Sequence, residues 1–165
     1  MVLMKVDFPE YFNELAFDIG KARSIISGNI YKKGTEKYRG DKEEEISTRG
    51  VLGELIVRHT FYKRGIDNRF NPIIDIKPVV DWDCITHNGK YDIKTVRESD
   101  KYLRINKNAH ENKKKYNLIT HYLFVILKGR TEANIFIFPK EDIWNWEIVK
   151  SRYTDVYRKK YNYAK

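Results

Sequence analysis

The chain has 165 residues, enough for one domain with a single hydrophobic core. Its 32 Lys and Arg residues outnumber 23 Asp and Glu residues, and the net charge of +9 makes a polyanion such as nucleic acid the first partner to consider. The lone cysteine, Cys84, excludes an internal disulfide framework, and the longest strongly apolar run, residues 122–127, is too short to span a bilayer. These features predict a soluble cytoplasmic protein that contacts no membrane.

The first part of the chain predicts two helices joined by a charged loop. Apolar side chains recur at helical spacing over residues 9–27. Residues 29–46 are dominated by charged side chains and predict a loop. Residues 47–65 predict the second helix, with Ser47 or Thr48 as its N-cap.

From residue 68 onwards the pattern changes to that of strands. Residues 68–79 predict an extended segment that two prolines interrupt. A hairpin follows around Asn88-Gly89, because a type I′ turn needs positive φ at both of its central positions and these two residues tolerate it.

The remaining sequence predicts both element types. Residues 102–117 predict a strand followed by a short basic helix, and residues 118–129 a central strand buried on both faces. Residues 134–139 predict another strand, and residues 140–150 a helix that precedes a basic, tyrosine-rich end. The order of elements predicts an α/β protein with a mixed β-sheet flanked by helices.

The predicted hairpin separates acidic from apolar side chains. With Asn88 and Gly89 in the turn, Asp83 faces Lys94 across the ladder, and directly opposed residues share a face. One face then carries Asp81, Asp83, Asp92 and Lys94, and the other carries Trp82, Cys84, Ile93 and Thr95. Three close carboxylates favour a hard divalent cation such as Mg²⁺, although a cross-strand salt bridge on a wet sheet face explains the same pattern without any function.

The pattern as a whole resembles the PD-(D/E)XK nuclease superfamily, the restriction-endonuclease-like fold. The resemblance is carried by Gly53-Glu54 on the second helix, by Asp83 or Asp81 on the first arm of the hairpin, and by Asp92-Ile93-Lys94 on the second arm. It resembles most the small phage-type and Holliday-junction-resolvase-like endonucleases, although no proline precedes the first-arm acid. It covers about residues 47–139, with the N-terminal helix and loop (1–46) and the C-terminal helix and basic tail (140–165) completing one nuclease domain.

Two other tripeptides fit the acid-x-Lys pattern. They are Asp75-Ile76-Lys77, which Pro78 follows at once, and Glu111-Asn112-Lys113, which lies in a predicted solvated helix. Neither is joined by a hairpin to an upstream acid, so residues 92–94 are the favoured site.

The resemblance implies a metal-dependent endodeoxyribonuclease in a bacterial or phage-infected cell. It implies that Asp83 and Asp92, with the backbone carbonyl of Ile93, hold Mg²⁺ or Mn²⁺, and that Glu54 joins them directly or through a water. Lys94 is expected to orient the attacking water and to stabilise charge on phosphorus. The alternative for Glu54 is an i,i+4 ion pair with Arg58.

The resemblance also places a further polar residue, His110, near the scissile phosphate, although a solvated helix surface accounts for it too. Cations after the catalytic strand are expected to bind the DNA backbone. They are Arg97, Lys101, Arg104, Lys107, Lys113, Lys114 and Lys115. Cleavage of both strands needs two active sites, which favours a homodimer. An RNA nuclease of the same fold and a non-catalytic nucleic-acid-binding protein are the alternatives.

Overall fold

A computed structural model describes residues 1–30, 43–73, 82–152 and 154–161, with side chains in the first range as far as Ile26. Within these ranges the elements, in chain order, are β1 Val2–Asp7, α1 Phe12–Ile30, α2 Glu43–Lys63, β2 Asn68–Phe70, β3 Cys84–Thr86, β4 Gly89–Val96, β5 Tyr102–Asn106, α3 Lys107–Glu111, α4 Lys113–Leu118, β6 His121–Lys128, β7 Glu132–Pro139, β8 Glu147–Lys150 and β9 Asp155–Lys160. A 3-10 helix, Lys140–Asn145, precedes β8. None of the described helices has the length and apolar character that crossing a bilayer requires.

The strands form two sheets. The larger has six strands in the order β1-β7-β6-β4-β3-β2, in which β4 and β6 are parallel and the other neighbours antiparallel. The smaller sheet has the order β5-β9-β8 and is antiparallel throughout. The predicted α/β class with a mixed sheet is therefore confirmed.

The central sheet separates two hydrophobic cores. On one face, α1 and α2 pack over Cys84, Tyr91 and Ile93. The opposite face packs against residues of the smaller sheet, including Leu103 and Tyr157. Strand β6 contributes to both cores by alternation, with Leu123 and Val125 in the first core and Tyr122, Phe124 and Ile126 in the second. The prediction that this strand is buried on both faces is confirmed.

Helix α2 begins at Glu43, earlier than the predicted cap at Ser47 or Thr48. Glu43, Glu44 and Glu45 form its first turn, where negative charge interacts favourably with the helix dipole. Ser47 is buried inside the helix and its hydroxyl donates to Glu43 Oε1 at 3.4 Å. The predicted loop over residues 29–46 is therefore shorter than expected, and residues 31–42 lie outside the described ranges.

The C-terminal region contains strands where a helix was predicted. Residues 140–150 form the 3-10 helix and then β8, and the basic tail forms β9. Tyr157 and Tyr161 belong to the second core. The predicted helix over residues 140–150 is wrong: Glu147–Lys150 pair with β9, which in turn pairs with β5, a strand distant in sequence. Strand β1 was not predicted and pairs with β7.

Candidate active site

The hairpin forms as predicted, but its register differs. Thr86 pairs with Gly89 and Cys84 with Tyr91, so the turn is centred on His87-Asn88. None of His87, Asn88 and Gly89 has a positive φ. The prediction of a type I′ turn at Asn88-Gly89 is therefore wrong. Gly89 is needed for a different reason, because a Cβ there would lie 2.2 Å from Thr120 Oγ1. Gly89 therefore packs closely against the residues at the start of β6, and it pairs with Thr86 as the first residue of β4.

The new register changes the partner of Asp83. Its N–H donates to the carbonyl of Tyr91 at 2.8 Å, and its Oδ2 accepts from the N–H of Ile93 at 2.7 Å. Lys94 Nζ lies 2.7 Å from Asp92 Oδ1 on the same strand. The predicted Asp83–Lys94 cross-strand pair is therefore wrong, and the lysine forms its ion pair with the other aspartate of the proposed site.

The two faces of the hairpin are largely as predicted. A register shift of two residues keeps each side chain on its original face, because strand side chains alternate with a period of two. Cys84 and Ile93 accordingly share the first core. Trp82 is the exception: it precedes β3 and packs in the second core. The chain therefore changes direction just before Cys84, at Asp83.

Three carboxylates share one electrostatic environment. Burial, followed by the charges of Asp92 and Glu54, raises the pKa of Asp83 to about 7. The nearby Lys94 ammonium and the N–H of Ile93 oppose this rise. Burial also raises the pKa of Glu54, and the charge of Asp92 adds to the effect. Glu54, Asp83, Asp92 and Lys94, which are separated in sequence, therefore interact in the folded chain.

Glu54 is held by a residue that the sequence did not single out. Arg23 of α1 places its Nη2 2.9 Å from Glu54 Oε1 and donates from Nε to the carbonyl of Ile73 at 2.7 Å. The alternative partner, Arg58, instead donates to the carbonyl of Asn71 at 2.5 Å. The i,i+4 alternative is therefore wrong as the ion pair of Glu54, although the Arg58 charge still lowers the pKa of Glu54.

Asn71 supports the segment that carries Asp83. Its N–H donates to the carbonyl of Asp83 at 3.0 Å, and its Nδ2 donates to the carbonyl of Trp82 at 2.5 Å. Since the carbonyl of Asn71 accepts from Arg58, a chain of hydrogen bonds runs from α2 through Asn71 to the backbone of Asp83. Sequence patterns gave no signal for Asn71, because this contact depends on the tertiary fold.

Gly53 lets α2 approach β4 closely. A Cβ at Gly53 would lie 1.9 Å from Thr95 Oγ1 and 3.0 Å from Thr95 Cβ. Only glycine therefore allows this approach of helix to strand. The neighbouring Glu54 is thereby carried towards the half of β4 that contains Asp92 and Lys94.

The donors around Asp83 and Asp92 are compatible with a hard cation. The described contacts of Glu54, Asp83 and Asp92 engage one oxygen of each carboxylate. The carbonyl of Ile93 points to the same strand edge as its N–H, beyond the last ladder pair between β3 and β4. Two carboxylates, a carbonyl and water suit Mg²⁺, which commonly binds through one or two carboxylates.

The described side chains do not form a complete set of metal ligands. Among the described side chains, no group of three His, Cys, Asp or Glu residues has a geometry that holds a metal ion. Asp81, the alternative first-arm ligand, and the Asp75-Ile76-Lys77 tripeptide lie outside the described ranges. The assignment of Asp83, Asp92, Ile93 and Glu54 as metal ligands stays a prediction.

His110 lies in the second core. The side chain is 0% exposed, its Nδ1 lies 2.9 Å from the Tyr122 hydroxyl, and the ring centroid of Trp144 is 4.5 Å away. Rings of Tyr116 and Tyr157 also contact it. The alternative of a solvated helix surface is wrong. In this conformation the packing also shields the imidazole from a phosphate, so the structure offers no support for direct catalysis by His110.

The basic residues expected to bind DNA occupy different environments. Arg97 pairs with Glu45 at 3.0 Å and Lys107 with Glu111 at 3.2 Å. Arg104 is exposed on β5. The others are Lys101, which precedes β5, and Lys113, Lys114 and Lys115, which form the first turn of α4. Of these cations, Arg104 lines a surface cleft between α2, β4 and β5 that Lys94 also lines.

Comparison of the chain with protein-family models, with curated proteins and with solved structures found no match.

Proposed function

We propose that this protein is a metal-dependent DNA endonuclease that hydrolyses phosphodiester bonds. The main support is the meeting of Glu54, Asp83, Asp92 and Lys94, from α2 and both arms of the hairpin, in one charged site. Mutual repulsion and burial leave Asp83 difficult to ionise, and a bound cation would relieve both effects. An ammonium beside paired carboxylates suits the hydrolysis of an anionic ester.

Each residue has a distinct role in the proposal. Asp83, Asp92 and the carbonyl of Ile93 would hold Mg²⁺ or Mn²⁺, which when bound activates water and neutralises phosphoryl oxygens. Lys94, half-exposed and 2.7 Å from Asp92, orients the nucleophile and stabilises the negative charge that develops on the phosphoryl group. Glu54, fixed by Arg23, completes the acidic wall of the site and orients water.

The substrate and assembly are further parts of the proposal. The net charge of +9 favours a nucleic acid, and we propose DNA, with RNA as the alternative substrate of the same site. Since no separate base-reading module was recognised in the sequence, cleavage is expected to depend on DNA structure or only weakly on sequence. A homodimer in a cytoplasmic setting completes the proposal.

The proposal is tested by incubating supercoiled plasmid, branched DNA and RNA with the protein in Mg²⁺, Mn²⁺ or EDTA. We expect cleavage of DNA with either metal and none with EDTA. Asp92→Asn should abolish cleavage while retaining DNA binding, because it removes a ligand without removing the surface cations.

Matched variants separate the site from general charge effects. Asp67 is an exposed acid outside the proposed site, so Asp67→Asn should cleave as the wild type does. If the wild type were inert on every substrate, or if Asp92→Asn were fully active, the nuclease proposal would be wrong. Preferential cleavage of RNA would instead favour the alternative substrate.

A further inference from the structure

A cleft opens beside the proposed catalytic site. Its volume is about 330 Å³, and it lies between α2, the second half of β4 and the start of β5. Lys94 lines it, together with Arg49, Val96, Tyr102, Arg104 and Phe124. Lys94 also contacts Asp92 at 2.7 Å, so this lysine connects the cleft with the neighbouring carboxylates.

The charges in this cleft favour an anion. Arg49, Lys94 and Arg104 approach it from three different elements, against one acid, Asp100. Asp100 Oδ2 accepts a hydrogen bond from the backbone N–H of Arg97 at 3.4 Å. Arg49 Nη1 lies 3.6 Å from Oε1 of Glu45, whose side chain is exposed, and a phosphate can replace this long ion pair.

The cleft also offers an aromatic surface. Tyr102 lines it at the start of β5, and the guanidinium of Arg158 lies 4.3 Å from the Tyr102 ring centroid. Arg158 is in turn fixed by Glu147 at 2.9 Å, which restrains the ring from that side. A nucleic-acid base stacks favourably on such a ring, and cations beside it hold the adjoining phosphates.

We infer that this cleft binds one nucleotide of single-stranded DNA next to the scissile phosphate. The inference rests on the proposed nuclease function and narrows its substrate to unpaired DNA, such as a single strand, a flap or a frayed end. The volume lies within the ~300–1,000 Å³ typical of small-ligand pockets. A base that stacks on the Tyr102 ring must leave the stack of its own strand, so the cleft suits an unpaired nucleotide. Arg49 and Arg104 bind phosphates, and Tyr102 stacks on the base.

Binding is measured with fluorescein-labelled oligothymidine in EDTA, by fluorescence anisotropy. Cleavage is then absent, so the result does not depend on whether the protein is a nuclease. We expect Tyr102→Ala, Arg49→Gln and Arg104→Gln each to weaken binding by at least about 5-fold. Lys63→Gln and Arg64→Gln, which remove exposed cations outside the cleft, should change the affinity by less than about 2-fold. Thermal melting of each variant verifies that it is folded.

A second measurement locates the strand. Oligothymidine carrying one 5-iododeoxyuridine, irradiated in the complex, should form its main crosslink at Tyr102, identified by mass spectrometry. Crosslinks confined to other aromatic residues, equal losses from cleft and control cations, or tighter binding of the matched duplex than of the single strand would each overturn the inference. Cleavage of duplex plasmid alongside any of those results would leave the nuclease proposal standing.

Discussion

Two buried polar clusters lie close together in this molecule and differ in how their polar groups are satisfied. Asp92 on β4 and Tyr122 on β6 are register partners, and the first belongs to the carboxylate cluster while the second contacts His110. Burial, followed by repulsion from the other carboxylates, raises the pKa of Asp83 to about 7. His110 is enclosed by rings, and burial lowers its pKa.

The difference separates a reactive arrangement from a structural one. Lys94, part of the first cluster, keeps 39% of its side chain exposed, so a substrate can reach the first cluster. The second cluster is closed, and the Nε2 of His110 is buried without a hydrogen-bond partner among the described residues. Residue type alone suggested chemistry for both clusters, whereas access to solvent and the repulsion among the carboxylates support it only for the first.

The largest expected effect is on the rate at the first cluster. Lys94→Ala should reduce single-turnover cleavage by ~10²–10⁴-fold, the range typical of a group that aids proton transfer. Lys90 is an exposed lysine on the same strand, so Lys90→Ala is the matched control and should cleave within about 2-fold of the wild type. Equal rates for Lys94→Ala and Lys90→Ala would remove the functional distinction between the clusters.

A mutation in the second cluster should lower the stability of the protein. His110→Ala leaves a cavity among aromatic rings and should lower the free energy of unfolding by about 2–4 kcal/mol, measured by urea denaturation. His87 is exposed in the hairpin turn, and His87→Ala should change stability by less than about 0.5 kcal/mol. A stable His110→Ala variant that has lost cleavage would show that His110 belongs functionally with the carboxylates.

The same histidine predicts a pH dependence. Burial holds the pKa of His110 below its ordinary 6.5, so below that pH the unfolded chain takes up a proton that the folded protein does not. Stability should therefore fall as the pH drops below 6.5, by at most about 1.4 kcal/mol per pH unit from this residue. His110→Gln should flatten the decline between pH 6.5 and 5. An unchanged slope would place the titrating group elsewhere.

A smaller effect is expected where α2 meets β4. Gly53→Ala should lower stability by about 1–3 kcal/mol, because Thr95 must move to admit the methyl group. At Gly50 on the same helix, the nearest atom to a new Cβ is Arg23 Nη1 at 3.5 Å, an ordinary contact. Gly50→Ala should therefore be neutral or stabilising by up to about 1 kcal/mol. Equal effects at the two glycines would contradict a close helix–strand contact at Gly53.

Local patterns predicted the parts of the fold that depend on local physics. The alternation along β6 and the acidic face of the hairpin could be identified because side chains in a strand alternate between its faces. The basic helical turns after β5 were likewise predicted and form α3 and α4.

The features that could not be predicted from the sequence depend on contacts between residues far apart in the chain. Gly89, at the start of β4, packs against Thr120, which lies after β4, β5, α3 and α4 in the chain, and this contact accompanies the observed hairpin register. The ion pair of Glu54 is with Arg23 on another helix, although Arg58 is nearer in sequence. The strand β9 forms because β5 is available to pair with it. Each case depends on a partner that no local window contains.

The most direct test of the central claim is a calorimetric titration with Mn²⁺ of the wild type, Asp83→Asn, Asp92→Asn and the control Asp67→Asn. If the hairpin carboxylates form a cation site, the wild type and Asp67→Asn should bind Mn²⁺, and both hairpin variants should lose at least about 10-fold in affinity. Undiminished Mn²⁺ binding in the two hairpin variants, or no binding by the wild type, would contradict the account.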